Sequence, residues 1–195
     1  MPTLTNETLK ELVRDIVSAY VEFPEDLRLA YQESADGNSC YWALRGRIED
    51  EPDLVGARGT HVKALTLLIT EFGLALGSTH TFRLVTDGSR IDRDRTEPQD
   101  AVEHEVEPAA ELLKRILAAL DINATATVGP GKGARRELRF MFSIGVPDIE
   151  TYRKLTVPRD DSPGGETIIG AIGVIFRAIA KWSGVRYEVT VERPQ

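Results

Sequence analysis

Cysteine is nearly absent from this sequence. Cys40 is the only one in 195 residues, so neither an internal disulfide nor a cysteine metal cluster can form, and a reducing cytoplasm is the expected setting. Histidine is scarce as well. His61, His80 and His104 show none of the spacing of metal ligands, and no metal or other cofactor is expected. No apolar run reaches the roughly 18 residues that a bilayer crossing takes, so no membrane role is expected. Met1-Pro2-Thr3-Leu4-Thr5-Asn6-Glu7 carries no basic stretch followed by an apolar core, so no secretory signal is expected. Basic charge is also short. Lysine and arginine number 24 against 31 aspartates and glutamates, for a net charge of −7 at pH 7. That balance works against a nucleic-acid partner, whose phosphates usually meet a basic field, and leaves a local basic patch as the route to one.

The composition present is that of a globular protein, 42% hydrophobic and 28% charged, with room for one large or two small domains. Leu9, Leu12, Val13, Ile16, Val17 and Tyr20 fall at helical spacing and predict a helix over 5–20, capped by Thr5 or Asn6 and stopped at Phe23-Pro24. Residues 27–33 and 39–48 read as strands around the turn signal Asp36-Gly37-Asn38. A short helix over 49–55, entered through Pro52, precedes Gly56. Val62, Leu65, Ile69, Phe72 and Leu76 then mark a long helix ending at Gly77, and 79–85 reads as a closing strand.

Between the two helices lies the most informative stretch, Leu54-Val55-Gly56-Ala57-Arg58-Gly59-Thr60-His61-Val62. Gly56 and Gly59 can take positive φ and let a ligand backbone come close. Arg58 adds a cation at the tip. The helix from Thr60 turns its free N–H groups toward the loop, an arrangement suited to phosphate. The bland alternative for the two glycines is a tight helix–helix turn with no ligand.

A charged stretch without apolar periodicity follows, a linker expected over 89–105, and then the pattern restarts. Leu112, Leu113, Ile116, Leu117 and Leu120 repeat the first helix, and 122–128 and 138–144 repeat the strands. Ile169, Ile172, Ile175, Phe176 and Ile179 repeat the long helix, and Tyr187, Val189 and Val191 the last strand. Two copies of one unit are expected, over 1–88 and 106–195.

The order helix, strand, strand, short helix, glycine loop, long helix, strand resembles the prokaryotic (type II) KH family, most nearly its small bacterial single-domain RNA-binding proteins. The resemblance implies an α+β fold of two tandem KH-like units, each a three-stranded sheet with helices on one face. It also implies a non-catalytic function, binding single-stranded RNA (DNA remaining open) in the first unit. Carried onto this chain, Gly56, Ala57, Arg58 and Gly59 form the clamp, His61 and Lys63 lie where they reach phosphate, and Arg45 and Arg47 line the opposite wall. Arg45 and Arg47 read equally well as solvent-facing strand residues. Glu49, Asp50, Glu51 and Asp53 surround the site, their simpler role being charge at a helix N-terminus.

The second copy departs from this pattern. Helix register sets Pro163-Gly164-Gly165-Glu166, preceded by Asp160 and Asp161, opposite Gly56–Gly59, so the glycine spacing is lost and acids replace the arginine. Gly129-Pro130-Gly131-Lys132-Gly133 lacks the spacing and hydroxyl of a phosphate loop and reads as a hairpin turn, with Arg135, Arg136 and Arg139 nearby as a second basic patch. Cys40, between Ser39 and Tyr41, reads as a packed thiol. No catalytic constellation stands out, and no enzyme is expected. The competing reading is a protein-interaction or ribonucleoprotein-assembly module.

Overall fold

The structure, a computed structural model, describes residues 4–86, 106–130, 139–158, 166–183 and 185–194. The chain divides into two compact units between Arg95 and Thr96, a boundary within the expected linker 89–105, which lies outside the described residues. Among the described residues both units are α+β, with six α-helices and two three-stranded mixed sheets in all.

The first unit runs α1 (Asn6–Ser18), β1 (Arg28–Glu33), β2 (Ser39–Arg45), α2 (Glu51–Val55), α3 (Thr60–Ala75) and β3 (Thr79–Leu84). Thr5 is the N-cap of α1. Its hydroxyl accepts from the Thr8 N–H at 3.2 Å while Thr8 Oγ1 accepts from the Thr5 N–H at 2.9 Å, a reciprocal pair that satisfies two otherwise orphaned donors. β1 and β2 pair antiparallel from Arg28↔Arg45 to Glu33↔Cys40, joined through Gly37 at φ +71°. β2 is central and pairs parallel with β3 from Ser39↔Thr79 to Leu44↔Leu84. A parallel pair needs a crossover connection, and here that connection is α2, the glycine loop and α3.

Strand alternation sorts the side chains. Cys40, Trp42, Leu44, His80 and Phe82 are buried on the inner face, under Leu12, Ile16, Leu65, Leu68, Ile69 and Phe72 of the helices, while Tyr41, Arg45, Thr81 and Arg83 are exposed on the outer face. β2 ends at Arg45 rather than running to residue 48. Gly46 passes under α2 so closely that a Cβ there would stand 2.7 Å from Leu54 Cδ1, and a 3₁₀ turn, Ile48–Asp50, follows. The end of α3 is set by Gly77 at φ +75°, with the Ser78 N–H bonded to Gly73 O at 2.9 Å and the Gly77 N–H to Leu74 O at 3.0 Å. These bonds satisfy the last-turn carbonyls of the helix.

The second unit repeats the order as α4 (Val106–Ala119), β4 (Thr125–Pro130), β5 (Arg139–Gly145), α5 (Ile149–Thr156), α6 (Ile168–Ser183) and β6 (Arg186–Glu192). β5 is central, antiparallel to β4 and parallel to β6. Phe142 sits edge-on to Phe176 at 5.2 Å and to Tyr187 at 5.5 Å in its core. Two elements differ from expectation. Ile122 does not open a strand. Asp121 takes φ +53° and the Ile122 N–H returns to Leu117 O at 3.0 Å, so Ile122 is the buried residue that closes α4 and the strand begins at Thr125. α5 has only Leu155 buried and so shows no apolar stripe. Its start is capped by Asp148, whose carboxylate accepts from the Thr151 N–H at 2.7 Å and Thr151 Oγ1 at 3.1 Å. β4 continues through Gly129 and Pro130. Gly131 to Gly133, Arg135 and Arg136 lie outside the described residues. No helix among the described residues is long and apolar enough to cross a membrane.

Under α3, His80 is fixed from both sides. Trp42 Nε1 donates to His80 Nδ1 at 3.2 Å, and Nε2, which then carries the proton, reaches Ser78 Oγ at 3.0 Å. Burial holds its pKa below the ordinary 6.5, with Glu33 opposing weakly. A depressed imidazole pKa gives stability that is fully present above the unfolded value and is lost as pH falls through the folded one. Denaturation midpoints should therefore be flat above neutrality and drop as pH falls below about 6.5. His80→Gln should flatten that acid-side drop while lowering stability throughout. Urea melts of both proteins across pH check this.

Candidate functional site

Gly56 takes φ +71°, Arg58 φ +56° and Gly59 φ +79°, so three of the four loop residues lie in the left-handed half of backbone space. For a non-glycine residue such as Arg58 this costs about 1–2 kcal/mol, a cost that recurs at ligand clamps and tight turns. Gly56 has a second reason to be glycine. A Cβ there would stand 2.5 Å from His61 Cγ and 2.8 Å from the His61 backbone nitrogen. The bare backbone lets the His61 ring fold under the loop, where Nδ1–H donates to the Asp53 carbonyl of α2 at 2.5 Å. The ring meets Tyr20 edge-on at 5.6 Å. His61 thus ties α3 to α2 and to the turn that follows α1. The Tyr20 hydroxyl beside it is buried without a hydrogen-bond partner among the described residues, and burial, with Asp53 second, pushes its pKa up.

The upper side of the loop is open. Ala57, Arg58, Thr60 and Lys63 are exposed, and among the described residues Arg58 and Lys63 make no ion pair. Gly59 stands at the N-cap of α3 with no side-chain cap on the first turn, so its leading N–H groups face outward. Chemically, the arrangement offers close backbone approach, peptide donors and two cations to an anion.

The flanking acids are turned inward. Asp50, Glu51 and Asp53 are buried. Asp50 does not cap α2. Its carboxylate accepts from the Glu22 N–H at 2.9 Å and the Phe23 N–H at 3.3 Å, which pins the chain leaving α1. No pattern in the sequence singles it out, because its partners are backbone groups 28 and 27 residues away.

Arg47 and Arg45 do not join the loop residues. The Arg47 guanidinium lies over Phe23 at 4.2 Å, with Nε at 3.7 Å from Asp26 and 3.3 Å from Glu49. Its charge is matched there, and it ties together the chain entering β1 and the chain leaving β2. Arg45 is exposed on the outer face of the sheet, away from the helices, opposite Arg28.

In the second unit α5 and α6 are separated by residues 157–167, where only 56–59 separate α2 and α3. Asp160, Asp161 and Pro163 to Gly165 lie outside the described residues. Thr167 precedes α6, and its hydroxyl accepts from the Gly170 N–H at 3.0 Å. That helix start is capped by its own chain, whereas the start of α3 is not. A groove of about 660 Å³ lies between α6 and β6, lined by Gly170, Gly173, Arg177 and Tyr187 among others.

Cys40 is free and buried, and burial raises its thiol pKa. Among the described residues no three of His, Cys, Asp and Glu gather as metal ligands would. No protein-family model matches the chain, and neither a curated protein nor a solved structure matches it.

The two loop glycines should respond differently to a methyl group. Gly56→Ala meets both the φ strain and the His61 clash, whereas a Cβ on Gly59 finds only Val62 Cγ1 at 3.7 Å. Gly59→Ala should cost about 1–2 kcal/mol and Gly56→Ala clearly more, with the order read from denaturant midpoints.

Proposed function

We propose that the first unit is a KH-like module that holds single-stranded RNA by its backbone, non-catalytically, through Gly56-Ala57-Arg58-Gly59. The observation that carries this reading is the left-handed turn from Gly56 to Gly59 leading straight into an uncapped α3. Phosphate fits that turn because peptide N–H groups, the positive end of the helix dipole and an exposed guanidinium converge on one side of it. Lys63 adds a second cation in the first turn of α3. His61 supports the clamp from below rather than contacting the strand.

The order α–β–β–α–α–β in each unit, with a central strand antiparallel to one neighbour and parallel to the other, supports reading the chain as two KH-like units in tandem. The capped start of α6 supports reading the second as having no phosphate clamp. A cytoplasmic setting goes with the lone thiol. A second reading belongs to the second unit. The open edge of β6 beside Gly170 and Gly173 favours an extended protein segment added as a further strand, as in a ribonucleoprotein assembly.

The test is titration of fluorescent single-stranded RNA and DNA pools at two salt concentrations. The intact protein should bind more weakly at the higher salt. Ala57→Asp with Arg58→Asp, two exposed positions, should abolish binding while the circular dichroism spectrum is kept. Equal binding by both proteins would remove the clamp assignment. Arg58→Asn separates function from folding, because asparagine tolerates the left-handed region better. It should melt no lower than the parent and bind less.

A further inference from the structure

The outer face of the first sheet has a composition unlike the rest of this acidic protein. Its positions are Arg28, Ala30 and Gln32 on β1, Ser39, Tyr41, Ala43 and Arg45 on β2, and Thr79, Thr81 and Arg83 on β3, aligned by the pairings Arg28↔Arg45, Gln32↔Tyr41, Tyr41↔Thr81 and Ala43↔Arg83. It holds three arginines, one aromatic ring and no carboxylate. Tyr41 stands on the central strand at 58% exposure, with Gln32 and Thr81 as its cross-strand neighbours. Arg28 and Arg45 are direct cross-strand partners, and like charges placed so destabilise the pairing. Within the fold the Arg28 guanidinium donates to the Glu25 and Leu27 carbonyls at 3.2 and 3.4 Å, and a polyanion laid on the face would offset the repulsion further.

The second unit supplies an internal comparison. Pairing by pairing, the places of Arg28, Arg45 and Arg83 are taken there by Thr125, Gly145 and Thr190, and that of Tyr41 by Met141. Its two cations, the paired Arg139 and Arg186, share the face with Glu188 and Glu192, and Arg139 lies 3.7 Å from Glu188. One topology thus carries two face chemistries, balanced in the second unit and wholly basic in the first.

We infer that the outer face of the first sheet is a nucleic-acid surface in its own right, on which Tyr41 stacks with a base of a single strand while Arg28, Arg45 and Arg83 hold its phosphates. The occupant follows from charge and shape. A flat face with one exposed ring and flanking guanidiniums suits a chain of alternating bases and phosphates. The location follows from topology. Gly73, near the end of α3, packs on His80 at the start of β3, so α3 runs back along the sheet. Its N-terminus, with the glycine loop, lies toward the end where β2 and β3 finish, the end that carries the arginines. The inference stands on this face and not on the glycine loop.

The experiment titrates fluorescent oligouridylate and oligothymidylate into the full chain, followed by photo-crosslinking and mass-spectrometric location of the linked residue. Tyr41→Ala should weaken binding roughly 5- to 150-fold, the range for losing one stacked base, and the crosslink should fall on Tyr41. Arg45→Gln with Arg83→Gln should lower the slope of log affinity against log salt by about 1.4, two single-strand phosphate contacts. If these folded variants bind as the parent does and only Ala57→Asp with Arg58→Asp fails, this face is not a nucleic-acid surface and the loop reading stands. If the face variants fail and the loop variant binds, the reverse holds. Absence of binding by the parent chain overturns both, and would turn the search for the face's occupant to an acidic protein.

Discussion

The first unit depends on one close approach, the bare Cα of Gly56 against the ring of His61. Because no side chain intervenes, the ring folds beneath the loop and bonds to the Asp53 carbonyl, which joins α3 to α2, while Tyr20 from the turn after α1 meets the ring edge-on. The rest of the loop is a consequence. With both helix ends held, the short link between them must turn sharply, and it does so through the left-handed region at Arg58 and Gly59. The exposure of Arg58 and the open N-terminus of α3 therefore come from interior packing. The same atoms serve as the joint of the fold and the platform of the site.

The long helices and the paired strands were legible because their signal is periodic burial. Leu9 to Tyr20 and Leu65 to Phe72 mark one side of a helix each, and Leu44, Trp42 and Cys40 alternate with exposed neighbours. Elements bounded by polar groups were not legible. α5 buries little and is capped by Asp148, and the end of α4 uses Asp121 in a conformation usually given to glycine, which made Ile122 look like the start of a strand. The loop residues of the candidate site were readable from Gly56 and Gly59, since their chemistry is local. The directions of Arg45 and Arg47 were not, because strand parity and the far-off partners Asp26 and Phe23 decide them.

The two units show how one framework separates in chemistry. Their strands pair in the same way and their long helices bury matching positions, so the differences fall on what the framework leaves exposed. A four-residue turn becomes a connection over 157–167, an open helix start is capped by Thr167, and a basic sheet face becomes a balanced one. None of these changes touches the apolar core, so each could arise without disturbing the fold.

The arginine face is a small positive field inside a chain of net charge −7, and the two act over different distances. At physiological ionic strength charges are screened beyond about 8 Å. Any anion approaching from afar in dilute buffer meets the repulsion of the whole molecule, and one already at the surface meets chiefly the local arginines. Encounter and retention therefore answer to ionic strength in opposite directions. Salt quickens arrival by masking the global charge and hastens departure by masking the local one. A surface built this way favours anions delivered to it over anions collected from solution.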